Sequence, residues 1–275
     1  MTVAGPVLLF CPGNRPDRFA RAAAAADTVI LDLEDAVAPV DKADARAAVV
    51  RALAAGAVPP ERCVVRINPP DGEWGRADIA ALRDSPVTTV MLPKATDPLT
   101  VARLAPWGVI ALCETARGVL AAPGLAEVDN CAGLMWGGED LTADLGGRTS
   151  RRPDGSYLPH VVHARTAVLL AAGATGRAAV DGVYLDIADT DGLAAETADA
   201  VAMGFVAKAC VHPSQAAVIR AAYSPSDADL AWAREVVAAV RDSAGVTTVR
   251  GRMVDEPVLR QARAMLNAAQ EEIRA

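Results

Sequence analysis

Two carboxylates, Glu114 and Asp140, stand where apolar runs with strand character give out, in V-I-A-L-C-E-T-A-R-G and C-A-G-L-M-W-G-G-E-D-L. Oxygen ligands with no clustered His or Cys favour Mg2+ or Mn2+ over Zn2+. Mg2+ takes one or two carboxylates and fills its other positions with water and substrate oxygens, so a pair is a sufficient protein contribution. Gly137 and Gly138, beside Asp140, would let backbone N–H groups approach a small anion. Arg66 ends another apolar run, V-V-R-I-N, and its fork suits a bidentate grip on a carboxylate; a buried pair with Glu34 or Asp35 is its alternative role.

Other runs end in the same way. Asp32-Leu33-Glu34-Asp35, Pro93-Lys94, Asp186-Ile187-Ala188-Asp189 and His212-Pro213 each follow a hydrophobic stretch. Any one of them could be a helix cap or a surface charge, and His212 reads more readily as a cap. Their recurrence at one topological position argues for chemistry, because burying so many unpaired charges is costly. There is no G-x-S-x-G, no Cys/His pair at catalytic spacing and no P-loop. Lys94 read as a Schiff-base lysine would leave the carboxylate pair without a task, so the metal-assisted reading is preferred.

These residues need a frame. Eight short β-branched runs, Val7–Cys11, Thr28–Leu33, Cys63–Asn68, Thr89–Leu92, Val109–Cys113, Gly133–Trp136, Gly182–Ile187 and Phe205–Val211, alternate with Ala-rich helical patterns. Continuous apolar strands each followed by a helix imply a parallel sheet covered by helices. Eight units in about 220 residues predict an α/β fold, a closed (β/α)8 TIM barrel, whose chemistry sits at the C-terminal strand ends. An open doubly wound sheet is the alternative, but C-P-G-N-R-P stands where its G-x-G-x-x-G would be. Residues 1–223 are expected to form the barrel catalytic domain, and 224–275 a C-terminal helical extension. In that extension Asp227–Ala239 and Val258–Ile273 read as helices flanking a charged stretch, G-R-M-V-D-E-P at 251–257. The stretch is either a packing appendage or a loop that carries charge to an active site.

A net charge of −7 over 275 residues does not suggest a nucleic-acid partner, and no apolar run is long enough for a membrane span. The N-terminus lacks the features of a secretory leader, and the five scattered cysteines read as buried thiols, so a cytoplasmic location is expected.

At these residues the sequence resembles the citrate lyase β-subunit-like family, within the wider group of Mg2+-dependent aldolases and acyl-CoA lyases. The resemblance rests on F-C-P-G-N-R-P-D-R-F at 10–19, D-L-E-D-A-V at 32–37, V-V-R-I-N at 64–68 and L-P-K at 92–94. It continues through E-T-A-R-G at 114–118, W-G-G-E-D-L at 136–141, V-H-P-S-Q at 211–215 and G-R-M-V-D-E-P at 251–257. It implies a TIM barrel, usually a homotrimer, with the C-terminal segment acting as a lid over a neighbouring subunit's site. It further implies Glu114 and Asp140 as Mg2+ ligands, Arg66 as the clamp on a substrate carboxylate, and Asp255 as the catalytic acid/base. Lys42, Arg46 and the 10–19 segment with Arg15 lie where the family binds CoA. Arg252 stands where Lys is common, and Ala36 where Gly is frequent. The reaction implied is reversible carbon–carbon cleavage of a carboxylated 3-hydroxyacyl-CoA to acetyl-CoA and a keto acid. A metal aldolase on free 2-keto acids, or a β subunit acting on a carrier-bound thioester, are the alternatives.

Overall fold

Eight parallel strands close into a barrel in strict chain order, β1-β2-β3-β4-β5-β6-β7-β8, with β8 pairing back onto β1. The strands of this computed structural model are β1 Val7–Pro12, β2 Thr28–Asp32, β3 Cys63–Arg66, β4 Thr89–Leu92, β5 Gly108–Cys113, β6 Cys131–Trp136, β7 Ala178–Asp181 and β8 Ala207–Cys210. The structure describes residues 4–241 and 246–274. Helices α1 Phe19–Ala25, α2 Lys42–Ala54, α3 Glu73–Leu82, α4 Pro98–Arg103, α5 Ala116–Ala126, α6 Gly138–Asp144, α7 Pro159–Thr175, α8 Thr190–Met203 and α9 Gln215–Tyr223 follow the strands. None of the described helices is long and apolar enough to cross a membrane.

The apolar character of the runs is what the barrel needs. β2, β5 and β6 are buried along their whole length, one face toward the barrel axis and the other under the helices. Leu8, Ile30, Met91, Ile110, Met135 and Val180 meet in the interior, so the barrel is a packed core and not a pore. Small residues on the helices let them lie close to the sheet: Ala45, Ala122, Ala126, Ala164 and Ala172 are all buried.

β7 differs from the sequence expectation. The strand is Ala178–Asp181, whereas Gly182–Ile187 forms a loop in which Leu185 and Ile187 are exposed. Pairing explains it: Gly133, Leu134 and Met135 of β6 register with Ala178, Ala179 and Val180, and α7 ends only at Gly176, in the left-handed conformation. Asp186 and Asp189 therefore do not stand at a strand end. Asp186 accepts backbone N–H groups of a surface turn, and Asp189 caps α8 through the Gly192 N–H. Asp181 takes the strand-end position.

The chain divides into two compact units, Met1–Arg220 and Ala221–Ala275. In the second, α10 (Asp227–Arg241) and α11 (Glu256–Arg274) pack with a hairpin of β9 (Thr247–Val249) and β10 (Arg252–Val254). Ala233, Val236, Val254, Leu259 and Ala262 make its own small core, with Trp232 packed against it. Ser226 and Asp229 cap α10 reciprocally, each side chain accepting the other's backbone N–H.

Candidate active site

E-T-A-R-G turns strand into helix. Glu114 follows β5 directly, Thr115 caps α5 by accepting the Gly118 N–H at 3.0 Å, and the carboxylate is left pointing into the barrel mouth. Only 2% of Glu114 is exposed. Its Oε1 accepts the backbone N–H of Lys94 at 3.1 Å, and Lys94 holds a left-handed φ of 48° that is rare for a residue with a side chain. The second motif is fitted around the first. A side chain at Gly137 would put its Cβ 2.9 Å from the Glu114 Cβ, and one at Gly138 would meet the Trp136 ring at 3.2 Å. The two glycines thus make room for Glu114 and Trp136, a requirement beyond the backbone access expected for an anion. Asp140 lies in the first turn of α6.

Among the described residues, Asp32, Glu34, Asp35, Glu114 and Asp140 gather around two directly paired cations, Arg66 and Lys94, with the buried Lys42 ammonium behind Asp32 and Glu34 as a third. Arg66 grips Asp32 through Nε at 2.7 Å and Nη2 at 2.6 Å, with Nη1 3.1 Å from Glu34. Lys94 Nζ reaches Glu34 at 2.5 Å, Asp35 at 3.2 Å and Asp140 at 3.9 Å. Burial, and after it the charge of Asp140, push the Glu114 carboxyl up to about 8. Burial alone would lower the Lys94 ammonium, but the Glu34 hydrogen bond and the neighbouring carboxylates raise it above the ordinary lysine range. A Schiff-base nucleophile needs the opposite shift. No group of three or more His, Cys, Asp or Glu of metal-holding geometry occurs among the described residues. Glu114 and Asp140 interact as a carboxylate pair amid surplus negative charge, an arrangement that would suit a hard cation keeping several positions for water or substrate.

A cavity of about 280 Å³ opens over this cluster. Asp32, Arg66, Glu114, Glu139 and Asp140 make its charged side, and Phe10, Leu112, Met135, Trp136 and Val183 its apolar side. Arg66 is the single cation among its described lining residues. The volume suits a small acid, and the opening leaves room for an attached chain.

The structure brings Arg66, Glu114, Gly137, Gly138 and Asp140 together at this cavity. Lys42, Arg46 and Arg15, of the same unit, are not among its lining residues. Lys42 Nζ donates to the carbonyls of Leu33 and Glu34 and to Asn68, at 2.6–2.7 Å, which uses all three of its N–H groups. Arg46 is paired with buried Asp78 at 2.7 Å, and Arg15 with exposed Asp17 at 2.8 Å. Asp255 belongs to the second unit, where its Oδ1 accepts the Val258 N–H at the start of α11. His212 makes a local bond with Ser214, as a cap would. Sequence reasoning missed Asp32 as the main partner of Arg66; their direct pairing across β2 and β3 is a register fact. It also missed Tyr157, a wall residue delivered by the irregular segment between α6 and α7.

A closed eight-stranded parallel barrel with clustered ionisable groups at the C-terminal strand ends defines a TIM-barrel enzyme. The chain belongs to the HpcH/HpaI aldolase/citrate lyase family, whose sequence profile matches residues 7–213. The profile of a C–C bond lyase of the TIM-barrel fold matches residues 158–271. A citrate lyase subunit beta-like protein of Mycobacterium tuberculosis is 52% identical over 98% of both chains. A (3S)-malyl-CoA thioesterase of Cereibacter sphaeroides is 36% identical over 96% of this chain and 94% of its own. The crystal structure of the protein CitE from Mycobacterium tuberculosis in complex with magnesium, acetoacetate and coenzyme A superposes with a TM-score of 0.93, at 51% identity, over 98% of this chain and 100% of that one.

Proposed function

We propose that the chain is a Mg2+-dependent carbon–carbon lyase that cleaves, reversibly, a carboxylated 3-hydroxyacyl-CoA thioester to acetyl-CoA and a keto acid. The observation that carries the reading is the pair Glu114–Asp140, set in a cluster of five carboxylates against three cations, Arg66, Lys94 and Lys42, at the floor of a cavity sized for a small acid. The similarity to a structure holding magnesium, acetoacetate and coenzyme A together supports the same combination here.

Glu114 and Asp140 would hold the metal. When bound, it supplies Lewis-acid polarisation to the substrate's hydroxyl and carboxylate oxygens. Arg66 offers the N–H groups that Asp32 and Glu34 leave free to the substrate carboxylate, fixing its orientation before the bond breaks. The apolar side of the cavity keeps water from the reacting carbons. Asp255 takes the hydroxyl proton as the carbonyl forms. The electrons of the broken C–C bond pass to the acetyl thioester, and the same carboxyl returns the proton to its carbon. Gly137 and Gly138 border the substrate, while Arg15, Arg46 and Lys42 mark the side on which the CoA part would lie. A cytoplasmic homotrimer is part of the same reading.

The test is product analysis. Mg2+-loaded protein incubated with malyl-, citramalyl-, citryl- and 3-hydroxy-3-methylglutaryl-CoA should release acetyl-CoA and a keto acid from at least one of them, and EDTA should stop it. Release of free CoA and an intact hydroxy acid would instead indicate hydrolysis, as the name of the Cereibacter relative describes. Asp255→Asn should lose most turnover, about a hundredfold or more, while keeping its Mg2+ affinity. Near wild-type cleavage by that variant would remove Asp255 from the mechanism.

A further inference from the structure

Behind the β6–β8 side of the cavity lies a second set of buried charges that the proposed reaction does not use. Lys208, in β8, has no exposed surface, and its three N–H groups go to Asp181 at 2.8 Å, the Gly182 carbonyl at 2.8 Å and Glu196 at 3.0 Å. Asp181 also accepts from Trp136 Nε1 at 2.9 Å, and Glu196 from the Tyr157 hydroxyl at 2.9 Å. Trp136 and Tyr157 then meet edge to face, their centroids 5.4 Å apart, which closes the circuit. Three cations, Lys208, Arg165 and Arg151, are matched by three carboxylates, Asp181, Asp199 and Glu196. The set is electrically complete, unlike the cluster around Glu114, so it calls for no further ion.

Its dependents face the substrate. Trp136, Tyr157 and Gly182 all line the cavity, and all three are fixed by Lys208, directly or through one carboxylate. A side chain at Gly182 would place its Cβ 3.1 Å from the Trp136 ring, so wall and backbone are already in contact. Buried ion pairs add little net stability against apolar replacements, whereas a fully satisfied network fixes geometry. We infer that Lys208 is a positioning residue that locks the Trp136–Tyr157 wall and so sets how large a substituent the carbinol carbon of the acyl group can carry. The inference rests on reading the cavity as the acyl pocket.

The experiment compares two acids that differ by one methyl group, glyoxylate and pyruvate, binding to the Mg2+-loaded protein by calorimetry, alongside kcat/KM for the malyl and citramalyl thioesters. A rigid wall discriminates a methyl by about tenfold or more, so wild type should show at least that ratio between the two acids. Lys208→Met should bring the ratio to within about threefold with Mg2+ affinity unchanged, and Tyr157→Phe, which removes only the hydroxyl, should lower it part of the way. A merely structural role would weaken both acids equally and leave the ratio intact, which overturns the inference. So does a wild type that does not tell the acids apart. If Lys208→Met does not fold, Tyr157→Phe decides alone: an unchanged ratio overturns, a lowered one supports. Wild type that binds and distinguishes the acids but cleaves neither thioester sinks the lyase reading while leaving the wall in place; wild type that binds neither acid sinks both.

Discussion

Glu114 is held by the Lys94 N–H in the space that Gly137 leaves, while the charge of Asp140 presses it toward its protonated form. Gly137→Ala should therefore displace the carboxylate without unfolding the barrel, lowering Mg2+ affinity by about tenfold. Calorimetry with a melting curve checks this, and unchanged affinity would mean that the close approach has no consequence. Arg66→Lys keeps the charge but loses the fork on Asp32. A drop in kcat/KM of about a hundredfold is expected, with Mg2+ affinity near wild type. Ordinary kcat/KM in the Arg66→Lys enzyme would show that a point charge suffices. The residue types at the site were legible in the sequence because strand ends announce themselves: Glu114, Asp140 and Arg66 all follow apolar runs. What could not be read was partnership. Asp32 and Arg66 are 34 positions apart, and only the β2–β3 register sets them side by side.

At the level of elements, the strands with β-branched runs were found where the sequence put them, and β7 was not. Its A-A-V-D has helical propensity, while the following V-Y-L-D-I has the look of a strand and forms a loop. Propensity lost to pairing, since β6 offers partners only to Ala178, Ala179 and Val180. α6 was also missed, because G-G-E-D-L-T-A-D opens on residues that argue against a helix. The second unit stands on few apolar residues, with Leu259 and Ala262 central. Leu259→Ala should cost it about 2–4 kcal/mol. Hydrogen exchange should show early loss of protection in 221–275 while barrel amides keep theirs. Uniform loss across the chain would mean that the two units unfold as one.

Across the whole molecule, charge is distributed to a purpose. The β6–β8 side carries a balanced set of ions, buried around Lys208 and Asp181 and reaching the surface at Asp199, whereas the mouth around Glu114 carries surplus carboxylate. That surplus has a pH consequence. Glu114 is raised from 4.5 to about 8 on folding, so its protonated form is the one the metal-free fold favours. Its contribution to stability is complete below 4.5 and is lost as pH rises through about 8. Metal-free protein should accordingly melt lower at pH 8.5 than at pH 6, and Mg2+ should reverse the difference. Titration of Mg2+ into wild type and Glu114→Gln by calorimetry at pH 6 and pH 8.5 tests the central claim, that this carboxylate pair holds the metal. Wild type should bind more tightly at pH 8.5 by roughly two orders of magnitude and release a proton at pH 6, while the variant binds weakly and without pH dependence. Equal affinity at the two pH values, or a variant that binds as tightly as wild type, would contradict it.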